Sequence, residues 1–191
     1  DGFLGFDDGN TADISVPTQI SGINDIIQIA ISNRTGSPEI LYLHQDGTVS
    51  AVGQNTYGNL GVGDETQRTT ITKIDFFEDG TTPFNNVVAL DIYGCSAALH
   101  SDGTVSTWGR GSGWGQKEIL GHGPDTYSGI LRPKKIEFFE DGTTPFNNVK
   151  QISVGYNSMM ALHNDGSVSS WGWASTPSSY SSLGHGNIGS L

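Results

Sequence analysis

The chain has 191 residues and a single cysteine, Cys95, so no intrachain disulfide can form. Nine Lys and Arg stand against 20 Asp and Glu, and the net charge of −11 speaks against direct binding of phosphate backbones. No apolar run reaches the ~18 residues of a membrane helix, and 27 glycines without a 3.6-residue apolar period exclude a helical fold.

The start at Asp1, without initiator Met or signal peptide, is expected of a processed chain or a piece of a longer one. Leu4-Gly5 comes next, then the oxygen-rich stretch Asp7, Asp8, Asn10 and Asp13. These four residues come nearest to suiting Ca²⁺, but they lack EF-hand spacing and are read as solvated loop carboxylates. A β-branched run at 16–20 follows.

Strand-sized runs then appear in order at 26–31, 39–44, 48–52 and 70–74; at 87–92, 96–100, 104–108 and 130–136; and at 149–154, 158–163 and 167–173. The second and third run of each set flank an Asp-Gly pair, at 46, 102 and 165, that is 56 and 63 residues apart. Asp-Gly between alternating apolar runs predicts a hairpin with a two-residue type I′ turn. Leu-Gly pairs at 4, 60, 120 and 183 recur at similar intervals, 56, 60 and 63 residues. The chain therefore reads as one all-β segment of repeats. Residues 1–20 supply the last strand of a preceding unit, 21–75 and 76–137 are complete units, and 138–191 is incomplete. Four short antiparallel strands per unit, with turns every 8–12 residues, fit the blades of a β-propeller.

Residues 76–86 recur unchanged at 138–148. Phe76, Phe77 and Phe84, with Phe138, Phe139 and Phe146, are too many aromatics for a free polar loop. Two readings stand: the rings pack between blades, or the loop tip presents an aromatic-acidic surface to a partner. Trp114 and Trp173, with Tyr127 and Tyr180, lie in other loops and are further contact candidates, suited also to stacking on a sugar.

Catalytic chemistry finds no constellation. His44, His100 and His163 are repeat-equivalent, so they sit about a sheet-packing distance apart, ~10 Å, whereas zinc needs nitrogens ~2 Å from one point. They are read as polar strand-end residues, and His122 and His185 fail as ligands by the same argument. Asp46, Asp102 and Asp165 are turn residues. No Gly-x-Ser-x-Gly elbow, Walker loop or dinucleotide fingerprint occurs. Neither enzyme activity, a metal nor a cofactor is expected.

Leu99-His100-Ser101-Asp102-Gly103-Thr104-Val105-Ser106-Thr107-Trp108-Gly109, and Gln54-Asn55-Thr56-Tyr57-Gly58-Asn59-Leu60-Gly61-Val62-Gly63, resemble the two halves of the repeat signature of the regulator of chromosome condensation family. The resemblance covers nearly the whole chain and implies a seven-bladed propeller. Three repeats cannot close a ring of 4–8 blades, so further blades from the same or another chain are expected. Val52 stands where the family usually has tryptophan, and the Ser/Thr/Pro-rich 174–182 replaces a short turn. Propellers of this kind serve in nucleotide exchange, chromatin binding, ubiquitin-ligase and kinase appendages, and β-lactamase inhibition, so the fold does not fix the task.

Protein recognition by blade loops is what they share. The expected function is a non-enzymatic protein-binding scaffold. One alternative is guanine-nucleotide exchange on a small GTPase, for which no insertion identifies itself. The other is an extracellular or surface assembly or sugar-binding module. The acidity, the Asn33-Arg34-Thr35 sequon and the loop tryptophans favour it, and they place a secreted or cell-surface location ahead of the cytoplasm.

Overall fold

The computed structural model describes residues 15–33, 38–109, 118–123, 129–156, 158–172 and 183. Eleven strands run in order: β1 Ile26–Ser32, β2 Glu39–His44, β3 Val49–Gly53, β4 Arg68–Lys73, β5 Val87–Ile92, β6 Cys95–His100, β7 Val105–Gly109, β8 Ile130–Lys135, β9 Val149–Val154, β10 Ser158–His163 and β11 Val168–Gly172. A 3-10 turn spans Glu118–Leu120. The strands form three antiparallel meanders, β1-β2-β3-β4, β5-β6-β7-β8 and β9-β10-β11. Each is one blade. Residues 15–20 form no strand. A strand exists only where a neighbour takes up its ladder bonds, and among the described residues nothing pairs with this run.

The Asp-Gly hairpins correct the type I′ expectation. Of Asp46 and Gly47 only Gly47 takes a left-handed φ, +78°. Gly47 N–H donates to His44 C=O (3.0 Å) and His44 N–H to Thr48 C=O (2.9 Å). This is a three-residue loop, a type I turn closed by a glycine bulge. The residue after the glycine decides between the two. Asp46 Oδ1 accepts both the Thr48 N–H (2.9 Å) and the Thr48 hydroxyl (2.6 Å). Asp102 does the same to Thr104 and Asp165 to Ser167.

These turns also join one blade to the next. Gly47 C=O accepts the Val87 N–H, and Gly103 C=O the Val149 N–H, each at 3.0 Å. The preceding Asn86 and Asn148 adopt φ of 58° and 61°, a region asparagine tolerates best after glycine. A Cβ on Gly103 would stand 3.1 Å from the Asn148 nitrogen, whereas one on Gly166 would meet nothing within 4 Å. Both glycines have positive φ, so Gly103→Ala and Gly166→Ala share a backbone strain of about 1 kcal/mol. Gly103→Ala should cost measurably more in a urea melt, because only it presses on the next blade; equal midpoints would contradict that junction.

The core lies between the sheets. One cluster joins Leu41, Leu43, Val49 and Ala51 of the first blade to Leu90, Ile92, Cys95 and Trp108 of the second. Another joins Leu99 and Val105 to Phe146, Val149 and Ala161 of the third. Polar clamps fasten the inner strands. Gln28 Nε2 donates to Leu90 C=O (2.8 Å) and its Oε1 accepts the Leu90 N–H (2.9 Å). Asp91 Oδ2 accepts the Val154 N–H at 2.7 Å.

Candidate functional site

The Leu-Gly and Trp-Gly landmarks meet across blades. Trp108, fully buried, donates its indole N–H to Asn59 C=O (2.8 Å), one residue before Leu60-Gly61. Trp171 donates to Ile119 C=O (2.9 Å), one residue before Leu120-Gly121. A Cβ on Gly61 would lie 2.7 Å from the Trp108 Nε1, and on Gly121 2.9 Å from that of Trp171. The glycine lets the loop of one blade rest on the indole of the next. Asn59 is anchored in turn through its Nδ2 to Glu39 Oε1 at 2.9 Å.

The repeated phenylalanine loop is a small folded unit. Phe76 bridges Pro83, and Phe84 N–H donates to Asp75 C=O. Asp79 Oδ1 accepts the N–H groups of Thr81 and Thr82, and Thr82 also donates its hydroxyl to Oδ2. The threonine hydroxyl and these amides hold the Asp79 carboxyl down to about 2. Asp141 repeats the arrangement with Thr143 and Thr144.

The rings divide by depth. Phe84 and Phe146 are buried, edge-on to Trp108 and Trp171 with centroids 5.6 and 5.4 Å apart. Packing therefore claims these two, and neither can present itself to a partner. Phe77 and Phe139 are half-buried against them, at 5.1 and 4.9 Å. Phe76 is half-buried and Phe138 is exposed. Trp114, Trp173, Asp7, Asp8, Asn10 and Asp13 lie outside the described residues.

Each repeat histidine bonds within its own blade. The Nε2 of His44, His100 and His163 lies 2.8 Å from the hydroxyl of Ser50, Ser106 and Ser169. The Nδ1 atoms meet Asp25 Oδ1, Asn85 C=O and Asn147 C=O respectively. A carbonyl can only accept, so His100 and His163 carry their proton on Nδ1 and the serine hydroxyl donates to Nε2. Burial, with Lys135 nearby, pushes His100 down to about 4. His122 meets the Thr107 hydroxyl at 2.9 Å, and burial pushes it likewise to about 4.

Beside His100 the chain opens a cleft of about 450 Å³. Three separate segments build it: the phenylalanine loop, the β6–β7 turn with Ser101 and Asp102, and β8 with Lys134 and Lys135. Glu78 N–H donates to Pro133 C=O (2.9 Å) and fixes the loop to β8. Phe77 forms an aromatic wall, with the Lys135 ammonium 5.8 Å from its centroid. Lys135 Nζ stands 3.4 Å from Asp102 Oδ2, and Lys134 Nζ 3.1 Å from Glu78 Oε2. The Thr104 hydroxyl and amide, with Lys135, hold Asp102 at about 2. The cleft thus offers one aromatic face and two partly exposed ammonium groups whose carboxylate partners are themselves exposed. Of the sequence candidates it gathers Phe77 alone. Lys134-Lys135 went unread, although two adjacent cations among nine in so acidic a chain are a usable signal.

Residues 149–175 match the model of the Regulator of chromosome condensation (RCC1) repeat. The chain is 26% identical over 170 residues to the human E3 ubiquitin-protein ligase HERC2, covering 86% of this chain and 3% of that protein. It is 28% identical over 167 residues to the Ultraviolet-B receptor UVR8 of Arabidopsis thaliana, covering 86% of this chain and 34% of the receptor. The crystal structure of human WBSCR16 superposes with a TM-score of 0.64 at 21% identity, covering 87% of this chain and 38% of that one. The chain therefore spans about a third or less of the curated relatives it matches. Residues 149–175 thus match the regulator-of-chromosome-condensation repeat, the relatives at 26% and 28% identity extend the resemblance along most of the chain, and the described residues, with their blade-to-blade Leu-Gly and Trp-Gly junctions, have the β-propeller blade fold.

Proposed function

We propose that the chain is a non-enzymatic scaffold that binds another protein through the cleft between the first phenylalanine loop and β8. The observation that carries this reading is the pairing of an aromatic wall, Phe77, with Lys134 and Lys135 at one opening. Aromatic side chains are enriched in protein contacts, and charged groups lie at the polar rim around them. A carboxylate-bearing, apolar peptide segment fits best. Its carboxylates displace Glu78 and Asp102 from the lysines, and its apolar side chain covers Phe77. Exposed ion pairs of this kind hold by ~1 kcal/mol or less, so exchange is easy. The relatives favour a binding role in general, since a ubiquitin ligase and a light receptor differ in task while sharing the repeat.

Panning a displayed random-peptide library against the folded chain should enrich peptides pairing Asp or Glu with an aromatic or aliphatic residue. Lys134→Ala combined with Lys135→Ala should abolish that enrichment while stability falls by no more than the ~1 kcal/mol that each exposed ion pair contributes. Enrichment that survives the double variant would move the contact elsewhere.

A further inference from the structure

Arg132 stands on β8 between two fixed points. Leu131 C=O accepts the Gly63 N–H, and Pro133 C=O accepts the Glu78 N–H, each at 2.9 Å. The first bond comes from the Leu-Gly loop of the first blade and the second from the phenylalanine loop, so the residue between them is held from both sides. A Cβ on Gly63 would stand almost equally close to the Nη2, Cζ and Nε atoms of Arg132. The plane of the guanidinium therefore faces the glycine, and its N–H edge is directed away from it. That edge meets no hydrogen-bond or ion-pair partner among the described residues. Asp64 adjoins Gly63, but its Oδ2 is taken by Arg68 Nη2 at 2.7 Å. Lys134 and Lys135 hold Glu78 and Asp102, while Lys73 and Lys150 are exposed. Among the described residues Arg132 is thus the half-buried cation left without a carboxylate, in a chain of 20 Asp and Glu.

We propose that Arg132 takes a second carboxylate of the acidic segment that occupies the cleft, so that the partner is read at two acidic positions along β8. This inference rests on the cleft reading above. Arg132 lies two residues before Lys134 on the same strand, roughly 7 Å along the chain, which is also the step between alternate side chains of an extended peptide. A guanidinium withdrawn from water without an anion is costly, and a carboxylate fits its planar fork through two parallel hydrogen bonds. Gly63 already fixes the plane of the fork, so little side-chain freedom is lost on binding. The carbonyls on either side, Leu131 and Pro133, are occupied by the two loops. Side chains rather than added ladder bonds therefore do the reading. The net charge of −11 disfavours a long polyanion at the same place, which leaves a protein segment with a few carboxylates as the occupant.

Fluorescence anisotropy with short labelled synthetic peptides tests the proposal. Each peptide carries one Leu and either one or two Glu, in every placement, with Ser elsewhere. The best single-Glu peptide should lose its binding to the Lys134→Ala, Lys135→Ala double variant and keep it to Arg132→Leu. The best double-Glu peptide should bind the wild-type chain roughly tenfold tighter than the single-Glu peptide, the worth of one charge-assisted contact. Arg132→Leu should erase that gain. Arg132→Lys, which keeps the stem and the charge without the planar fork, should retain part of it, and urea melts establish that each variant folds. A gain that survives Arg132→Leu, or no placement of the second Glu that tightens binding, would overturn the proposal while the cleft reading stands. Single-Glu binding indifferent to the lysine double variant would overturn the cleft reading, and this inference with it.

Discussion

Trp108→Ala should destabilise the chain by about 4 kcal/mol, the cost of emptying an aromatic core site. The indole is completely buried, stands edge-on to Phe84, and carries the hydrogen bond to Asn59 of the preceding blade. Its removal loses the first core cluster's largest side chain and opens space beneath Gly61. Asn59 C=O keeps the Ser96 hydroxyl at 2.7 Å, so the lost volume dominates over an orphaned acceptor. Trp171→Ala at the equivalent place should cost about 2 kcal/mol, because Trp171 is only half-buried. Urea midpoints rank the two; equal costs would mean that the second blade's flank is no better covered than the third's.

Acidification should weaken the fold in two separate steps. His100 is held neutral, at about 4, against about 6.5 in the unfolded chain. The unfolded state therefore takes up the proton first. The histidine's contribution is whole above pH 6.5 and drains away as pH falls towards 4. It amounts to something on the order of 3 kcal/mol. His122 acts in the same window. Asp79, Asp102 and Asp141 lie at about 2, below their unfolded value. Their stabilisation persists above about pH 4 and is lost as pH drops through 2. His100→Gln should flatten much of the first step and leave the second. Stability unchanged from pH 7 to 4.5 in the wild type would contradict the buried neutral imidazole.

The strands were legible because their signals are local. Alternation between Gly-terminated runs marked β2, β5, β9 and β10 to the residue and the others to within two positions. The turn type was not, because Asp-Gly alone is compatible with two hairpin loops and the hydroxyl at Thr48, Thr104 or Ser167 selects one. The Leu-Gly and Trp-Gly landmarks were visible separately. Their partnership was hidden, since Gly61 meets Trp108 in the next repeat rather than anything in its own. Composition could not divide the phenylalanines. Phe84 is drawn inward because its neighbour is Trp108, while Phe138 has no such seat. The cleft was unreadable for the same reason: Phe77, Asp102 and Lys135 converge only after two blade strands and a loop have packed.

The side-by-side stacking of blades is tested most directly by a double-mutant cycle on Gly61→Ala and Trp108→Phe, residues in successive blades. Trimming the indole removes the atom that a methyl group introduced at position 61 would strike, so Gly61→Ala should cost less once Trp108→Phe is in place. The coupling should exceed about 0.5 kcal/mol, the scatter expected of distant sites. Costs that simply add, within that margin, would mean the two residues do not touch, and the interlocked blades would be wrong.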